Sequence, residues 1–134
     1  MAFDLTLLTR AGDLAAHAAQ RQSLISENIA NADSRGFKAR DLPTFAAVYE
    51  NGEGGGNFAA RATRPGHAGY DAGGGVAVEP VAIAKRGAAS PNGNTVSLED
   101  QMTRGAEANL QHELALTILR SSINILRTGI GRGR

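Results

Sequence analysis

Asn28-Ile29-Ala30-Asn31-Ala32-Asp33-Ser34-Arg35-Gly36-Phe37 closes an Ala-rich N-terminal segment that otherwise reads as one long helix. The two asparagines, Asn28 and Asn31, stand three apart and therefore share a helix face. Asn is an indifferent helix former because its amide competes for backbone hydrogen bonds. Two of them at the end of a good helix point to polar packing, or to a specific chain exit, rather than to propensity. Gly36 supplies a stop, since a left-handed residue commonly ends a helix. An ordinary frayed helix end has the same spacing, so spacing alone does not separate the two readings.

Upstream, the helix runs from residue 5 to about residue 33, and Asp4 is placed to cap its start. A heptad reading puts Leu8, Ala15, Gln22 and Ile29 at one seam position and Ala11, Ala18, Ile25 and Ala32 at the other. That is coiled-coil spacing with a mostly small seam, which lets a partner helix approach closely. Downstream, Phe37, Leu42, Phe45, Val48 and Tyr49 make residues 37–50 an amphipathic connector. Pro43 bars a helix through its own position, so a short helix starts no earlier than Thr44.

Residues 51–95 change composition. Asn51–Asn57 and Gly73-Gly74-Gly75 are linker-like, and the alternating piece Val76–Ile83 reads as an edge strand because it contains Pro80. The segment is mostly irregular, with room for a short hairpin. From residue 97 to about 128 a second long helix is expected, with Ser97 as N-cap and Glu99 and Asp100 at its positive end. Leu98, Met102, Ala106, Leu110, Leu114 and Ile118 step by four, and Leu116, Leu119, Ile123, Leu126 and Ile130 form a second row. A surface helix needs one apolar stripe. Two rows imply more than one packing neighbour, and a lone helical pair cannot cover both.

The fold class follows: mainly α, two long terminal helices packed antiparallel in coiled-coil fashion, with a Gly-rich middle. The chain divides into residues 1–36, 37–50, 51–95 and 96–134.

Composition excludes several classes. There is no Cys, hence no disulfide framework and no thiolate metal site. The formal net charge is +1 with no basic block, and Trp is absent, which removes the electrostatic and stacking basis for nucleic-acid binding. No apolar run is long enough to span a bilayer. Asp4, Arg10 and Asp13 interrupt any secretory h-region. His17, His67 and His112 lack the His-x-x-x-His spacing of a helical metal site, and no Ser sits in a nucleophile elbow. The glycines lack the Gly-Lys-Ser/Thr of a phosphate loop. No enzyme, cofactor or small-molecule substrate is expected.

The asparagine tract, continued by Lys38-Ala39-Arg40-Asp41, resembles the N-terminal signature of the bacterial flagellar axial proteins, and among them the basal-body rod protein family. Gln20-Arg21-Gln22 precedes it at the family's spacing, and Gly93-Asn94-Thr95-Val96 leads into Leu98-Glu99-Asp100-Gln101-Met102. The Gly-Asn-Thr-Val element and the Arg-Gly-Phe-Lys-Ala-Arg-Asp run are most similar to the B-type proximal rod proteins. The family often has Thr-Pro-Gly-Tyr at positions 34–37 and an aromatic at position 112, where this chain has Ser-Arg-Gly-Phe and His.

The resemblance implies a structural rod subunit, part of a drive shaft that carries motor torque. It implies export through a type III channel without a cleaved signal peptide, and a periplasmic place in the basal body. Implied partners are other rod subunits, a rod-base adaptor protein, and the export gate or MS ring. Subunit packing is assigned to Leu8, Ile25, Asn28, Ile29, Asn31, Leu110, Leu114, Ile118 and Ile125. The rival readings are the C-type rod subunit, another axial protein, or a small helical export chaperone.

Overall fold

The computed structural model describes residues 2–50, 78–83 and 90–131, with side chains from residue 6 onward. The glycine tracts at 51–57 and 73–75 lie outside the described residues. Helix α1 spans Ala2–Ala30, strand β1 Arg40–Asp41, helix α2 Phe45–Glu50, strand β2 Val81–Ala82 and helix α3 Leu98–Gly131. At 1.5 Å per residue α1 is about 43 Å long and α3 about 51 Å. Because α1 begins at Ala2, Asp4 lies inside the first turn rather than before it.

The two long helices pack antiparallel. Asn28 meets Gln101, a Cβ on Gly105 would touch Ile25 Cγ2 at 3.8 Å, and Arg21 reaches Glu107, so one numbering falls as the other rises. The α1 side of the interface is Ala11, Ala18 and Ile25, all buried. The α3 side is Gln101, Ala108, Ala115 and Ser122, also buried and spaced by sevens. Small residues facing small residues keep the axes close and leave little side-chain volume between them.

The long aliphatics of α3 go elsewhere. Leu98, Met102, Leu110, Leu114, Ile123, Ile125 and Ile130 are exposed. The reason is geometric. A step of four residues advances about 40° beyond one full turn, so a four-step row winds around the helix, while a step of seven drifts only about 20°.

At the C-terminus of α1 the chain tightens into turns and leaves through Gly36, whose φ of 72° explains the glycine. Thr44 caps α2: its Oγ1 accepts from Ala47 N at 3.3 Å, with Pro43 just outside the helix. Strands β1 and β2 pair antiparallel, Arg40 opposite Ala82 and Asp41 opposite Val81. The pair joins the connector to the middle segment, so no local turn closes it. Leu42, Val48 and Val78 form a small core with Leu24 of α1 against it.

Candidate functional site

One stripe of α1 reads the connector residue by residue. His17, Arg21, Leu24 and Asn28 recur at helical spacing, and residues 40–43 run along them. Asn28 is 1% exposed. Its Oδ1 accepts from Arg40 N at 3.1 Å and its Nδ2 donates to Arg40 O at 2.7 Å. The side-chain amide thus occupies the place of a neighbouring strand's peptide. The same Nδ2 donates to Gln101 Oε1 at 3.0 Å, which ties α3 into the junction.

Asp41 is the charged centre. Arg21 grips it in bidentate fashion, Nε to Oδ1 at 3.0 Å and Nη2 to Oδ2 at 3.1 Å. Arg104 of α3 donates Nη1 to Asp41 Oδ2 and Nε to Asp100 Oδ2 at 2.8 Å. Leu42 N donates to Asp41 Oδ1 at 2.8 Å. Burial by itself pushes the Asp41 carboxyl up, but the two guanidinium groups and the Leu42 amide outweigh it and hold the group below the usual carboxylate range. The carboxylates raise Arg104 in return, against the effect of its burial.

His17 completes the stripe. Its Nε2 bonds Pro43 O at 2.9 Å as a donor, which fixes the Nε2-protonated tautomer, and its ring meets Phe45 edge to face at 5.7 Å. Burial pushes His17 below its ordinary value, helped by Arg21 and opposed by the Pro43 carbonyl and Asp41.

A second junction stands at the end of α1. Asn94 is buried, and its Nδ2 lies 2.8–2.9 Å from the carbonyl oxygens of Asn31, Ala32 and Ser34. One amide thereby gathers three carbonyls at the helix end, two of which also accept backbone bonds, Asn31 O from Ser34 N and Ser34 O from Phe37 N. Its Oδ1 accepts from Val96 N at 2.7 Å. Gly36 N donates to Asn92 O, Thr95 N to Phe37 O and Lys38 Nζ to Gly93 O. Gly93 has φ of 76°, and a Cβ there would sit 3.6 Å from Gly36 Cα, so two left-handed glycines meet.

The arrangement is a polar clasp binding connector, α1 and α3 into one body. Among the described residues no cluster of His, Cys, Asp or Glu is suited to a metal ion, and no helix is long and apolar enough to cross a membrane.

No family model matches this chain. It is similar to the flagellar basal body rod protein FlgB of Salmonella typhimurium, 33% identical over 122 residues, covering 83% of this chain and 86% of that one. This chain belongs to the FlgB family. The family is one of structural basal-body rod proteins, not enzymes.

Within this FlgB-family chain, Ile25 and Asn28 lie together in the α1–α3 interface. Leu8 is half-buried on α1 and Ile29 is exposed. Asn31 turns its amide back to Glu27 O at 2.9 Å, accepts from Ser34 Oγ, and gives its own carbonyl to Asn94. Ile118 is half-buried, while Leu110, Leu114 and Ile125 point away from the interface. The residues that build the clasp beside Asn28 are Arg21, Asp41, Gln101, Arg104 and Asn94. Four of them sit in the stretches on which the family resemblance rests, but nothing in their local spacing announces partners up to 73 residues away.

Proposed function

We propose that this chain is a structural subunit of the proximal part of the flagellar rod, within the shaft that transmits motor torque and is required for flagellar assembly and motility. Its partners are other rod subunits, the adaptor protein at the rod base, and the export gate or MS ring beneath. It reaches a periplasmic position by type III export, uncleaved. The observation that carries the reading is the similarity to FlgB across 83% of the chain, including the tract whose Asn28 clasps both helices.

The clasp suits a torque-bearing part. A load applied to one helix passes to the other through charge-assisted and bidentate hydrogen bonds, which are directional as well as strong. The nine residues assigned to packing divide accordingly: Ile25 and Asn28 hold the subunit together, and Leu110, Leu114 and Ile125 offer apolar surface to neighbours.

The test is isolation of basal bodies from a flagellated host in which a tagged copy replaces the native rod protein. The tagged chain is expected to co-purify with the rod, and its deletion to abolish motility. A motile deletion strain, or a chain that stays in the cytosol, would overturn the proposal.

A further inference from the structure

Two Asn-Gly pairs occur in the chain, and one of them, Asn92-Gly93, lies in the second junction. In such a pair the backbone nitrogen can attack the preceding side-chain amide with little hindrance, because glycine carries no Cβ. Both residues are exposed, so water reaches them. They end a turn that begins at Ser90. Gly93 N donates to Ser90 O at 3.0 Å, with Pro91 second and Asn92 third at negative φ, the type I pattern. In that pattern the third residue keeps ψ at about 0°. Attack needs rotation about the Asn92 Cα–C bond until Gly93 N eclipses Cβ. The peptide unit that would rotate is held at both ends: its oxygen accepts from Gly36 N at 2.9 Å while its N–H is tied to Ser90 O. The target amide is held as well, since Asn92 Oδ1 accepts from Asn94 N at 3.1 Å.

We propose that Asn92-Gly93 is a deamidation site that the unfolded chain leaves open and the fold closes. In the unfolded chain Gly93 N attacks Asn92 Cγ. The N–Cγ bond forms, the Cγ–Nδ2 bond breaks, and ammonia leaves, taking the proton from Gly93 N. Water then opens the cyclic imide at one of its two carbonyls. One opening gives aspartate at position 92. The other gives isoaspartate, in which the main chain runs through the former side chain. The junction distinguishes these products. Aspartate leaves the main chain unchanged, and its carboxylate can still accept from Asn94 N. Isoaspartate inserts a methylene between the Asn92 Cα and Gly93, and the carbonyl that meets Gly36 N leaves the main chain. Gly93 then shifts from its seat beside Gly36, and Asn94 from the carbonyls of Asn31, Ala32 and Ser34. The aspartyl product is therefore admitted and the isoaspartyl product rejected, whatever the subunit's place in a rod.

The full-length chain is aged at mildly alkaline pH in denaturant and, in parallel, in native buffer. Peptide mapping follows residue 92 and separates it from the pair at Asn51-Gly52, which lies outside the described residues. Deamidation at residue 92 is expected to be slower in the folded chain by about tenfold or more, because reaction then waits for local opening. Equal rates in the two conditions, or no reaction in denaturant, would overturn the proposal. The chain aged in denaturant is then refolded and the folded fraction separated by size. Isoaspartate at position 92, read by electron-transfer fragmentation, is expected to be depleted in the folded fraction while aspartate is not. Equal isoaspartate in folded and misfolded fractions would show that the junction does not select between the products. Asn92→Asp is expected to fold as the unsubstituted chain does. Its failure to fold would mean that the new charge, not the main chain, is what the junction rejects.

Discussion

The two ends of the helical pair are held by different physics. Near the exit of α1, where residues 17–28 and 94–107 meet the connector, Asn28, Asp41 and Asn94 each make at least three hydrogen bonds. From residue 110 to 131, α3 shows its partner only Ala115 and Ser122 as buried residues and turns large aliphatics outward. The first end is specified by direction and the second by area still to be covered. A subunit built this way keeps one rigid, self-sufficient end and one end that gains most of its burial from others.

The largest effect is expected at the charged centre. Asp41→Ala strips both bidentate bonds from the buried Arg21, leaving it only the exposed Glu107 at 3.5 Å, and should cost about 3 kcal/mol, because breaking a buried pair is far more expensive than breaking an exposed one. Denaturant unfolding of the purified chain measures it. A loss below about 1 kcal/mol, the range of an exposed pair, would break the contrast between the two ends.

Next comes Asn28→Ala, which strips partners from Arg40 and Gln101. Each buried group left unsatisfied costs about 1–3 kcal/mol. Asn31→Ala should stay within about 0.5 kcal/mol, as for surface substitutions, since its side chain bonds only its own helix and Ser34. Equal losses from the two would show that the clasp is not centred on Asn28.

Acid sharpens the comparison from another side. His17 is held below its ordinary 6.5 in the fold, so the unfolded chain binds the proton first. Stability is present above pH 6.5 and falls as pH drops below it. Asp41, held below 3.8, adds a second loss as pH falls under that value. Asp13, pushed up by burial, acts in the opposite direction: the fold takes up its proton before the unfolded chain does, so it adds stability as pH falls toward 3.8. The denaturation midpoint should therefore decline below pH 6.5 and again below 3.8, and His17→Gln should remove the upper decline only.

The smallest effect on the isolated chain is expected from Leu114→Asp, within about 0.5 kcal/mol because the site is exposed. Its effect on incorporation into the rod should be large. A variant that destabilises the monomer strongly yet assembles normally would reverse the assignment of the outward face.

What the sequence made legible follows the same division. The Ala11, Ala18, Ile25 seam was readable because it is apolar and periodic, and Asn28 because polar residues at the end of a good helix demand a reason. The α3 seam was not. Gln101, Ala108, Ala115 and Ser122 offer no hydrophobic contrast, whereas the aliphatic rows stand out and draw attention to the outward face of α3. The Arg21–Asp41–Arg104 centre escaped as well. Its members are 20 and 63 positions from the aspartate, and charge pairing at that range leaves no local pattern. Asn94 sits in a recognisable Gly-Asn-Thr-Val element, but only the fold shows that its amide serves a helix end more than 60 residues earlier.

The meeting of Gly36 and Gly93 has one more consequence. The segment that follows α1 meets the segment that precedes α3 at residues 36–39 and 92–95, with Gly36 N bonded to Asn92 O at 2.9 Å and Ala39 N to Thr95 Oγ1 at 2.8 Å. Departure and return are one socket. Whatever is spliced between the ends of that socket is anchored by the same bonds, whatever its size. Doubling the length of a flexible insert raises its closure cost by only about 0.6 kcal/mol. The helices can therefore remain a constant chassis while the material between residues 51 and 77 is lengthened, trimmed or exchanged for a folded module.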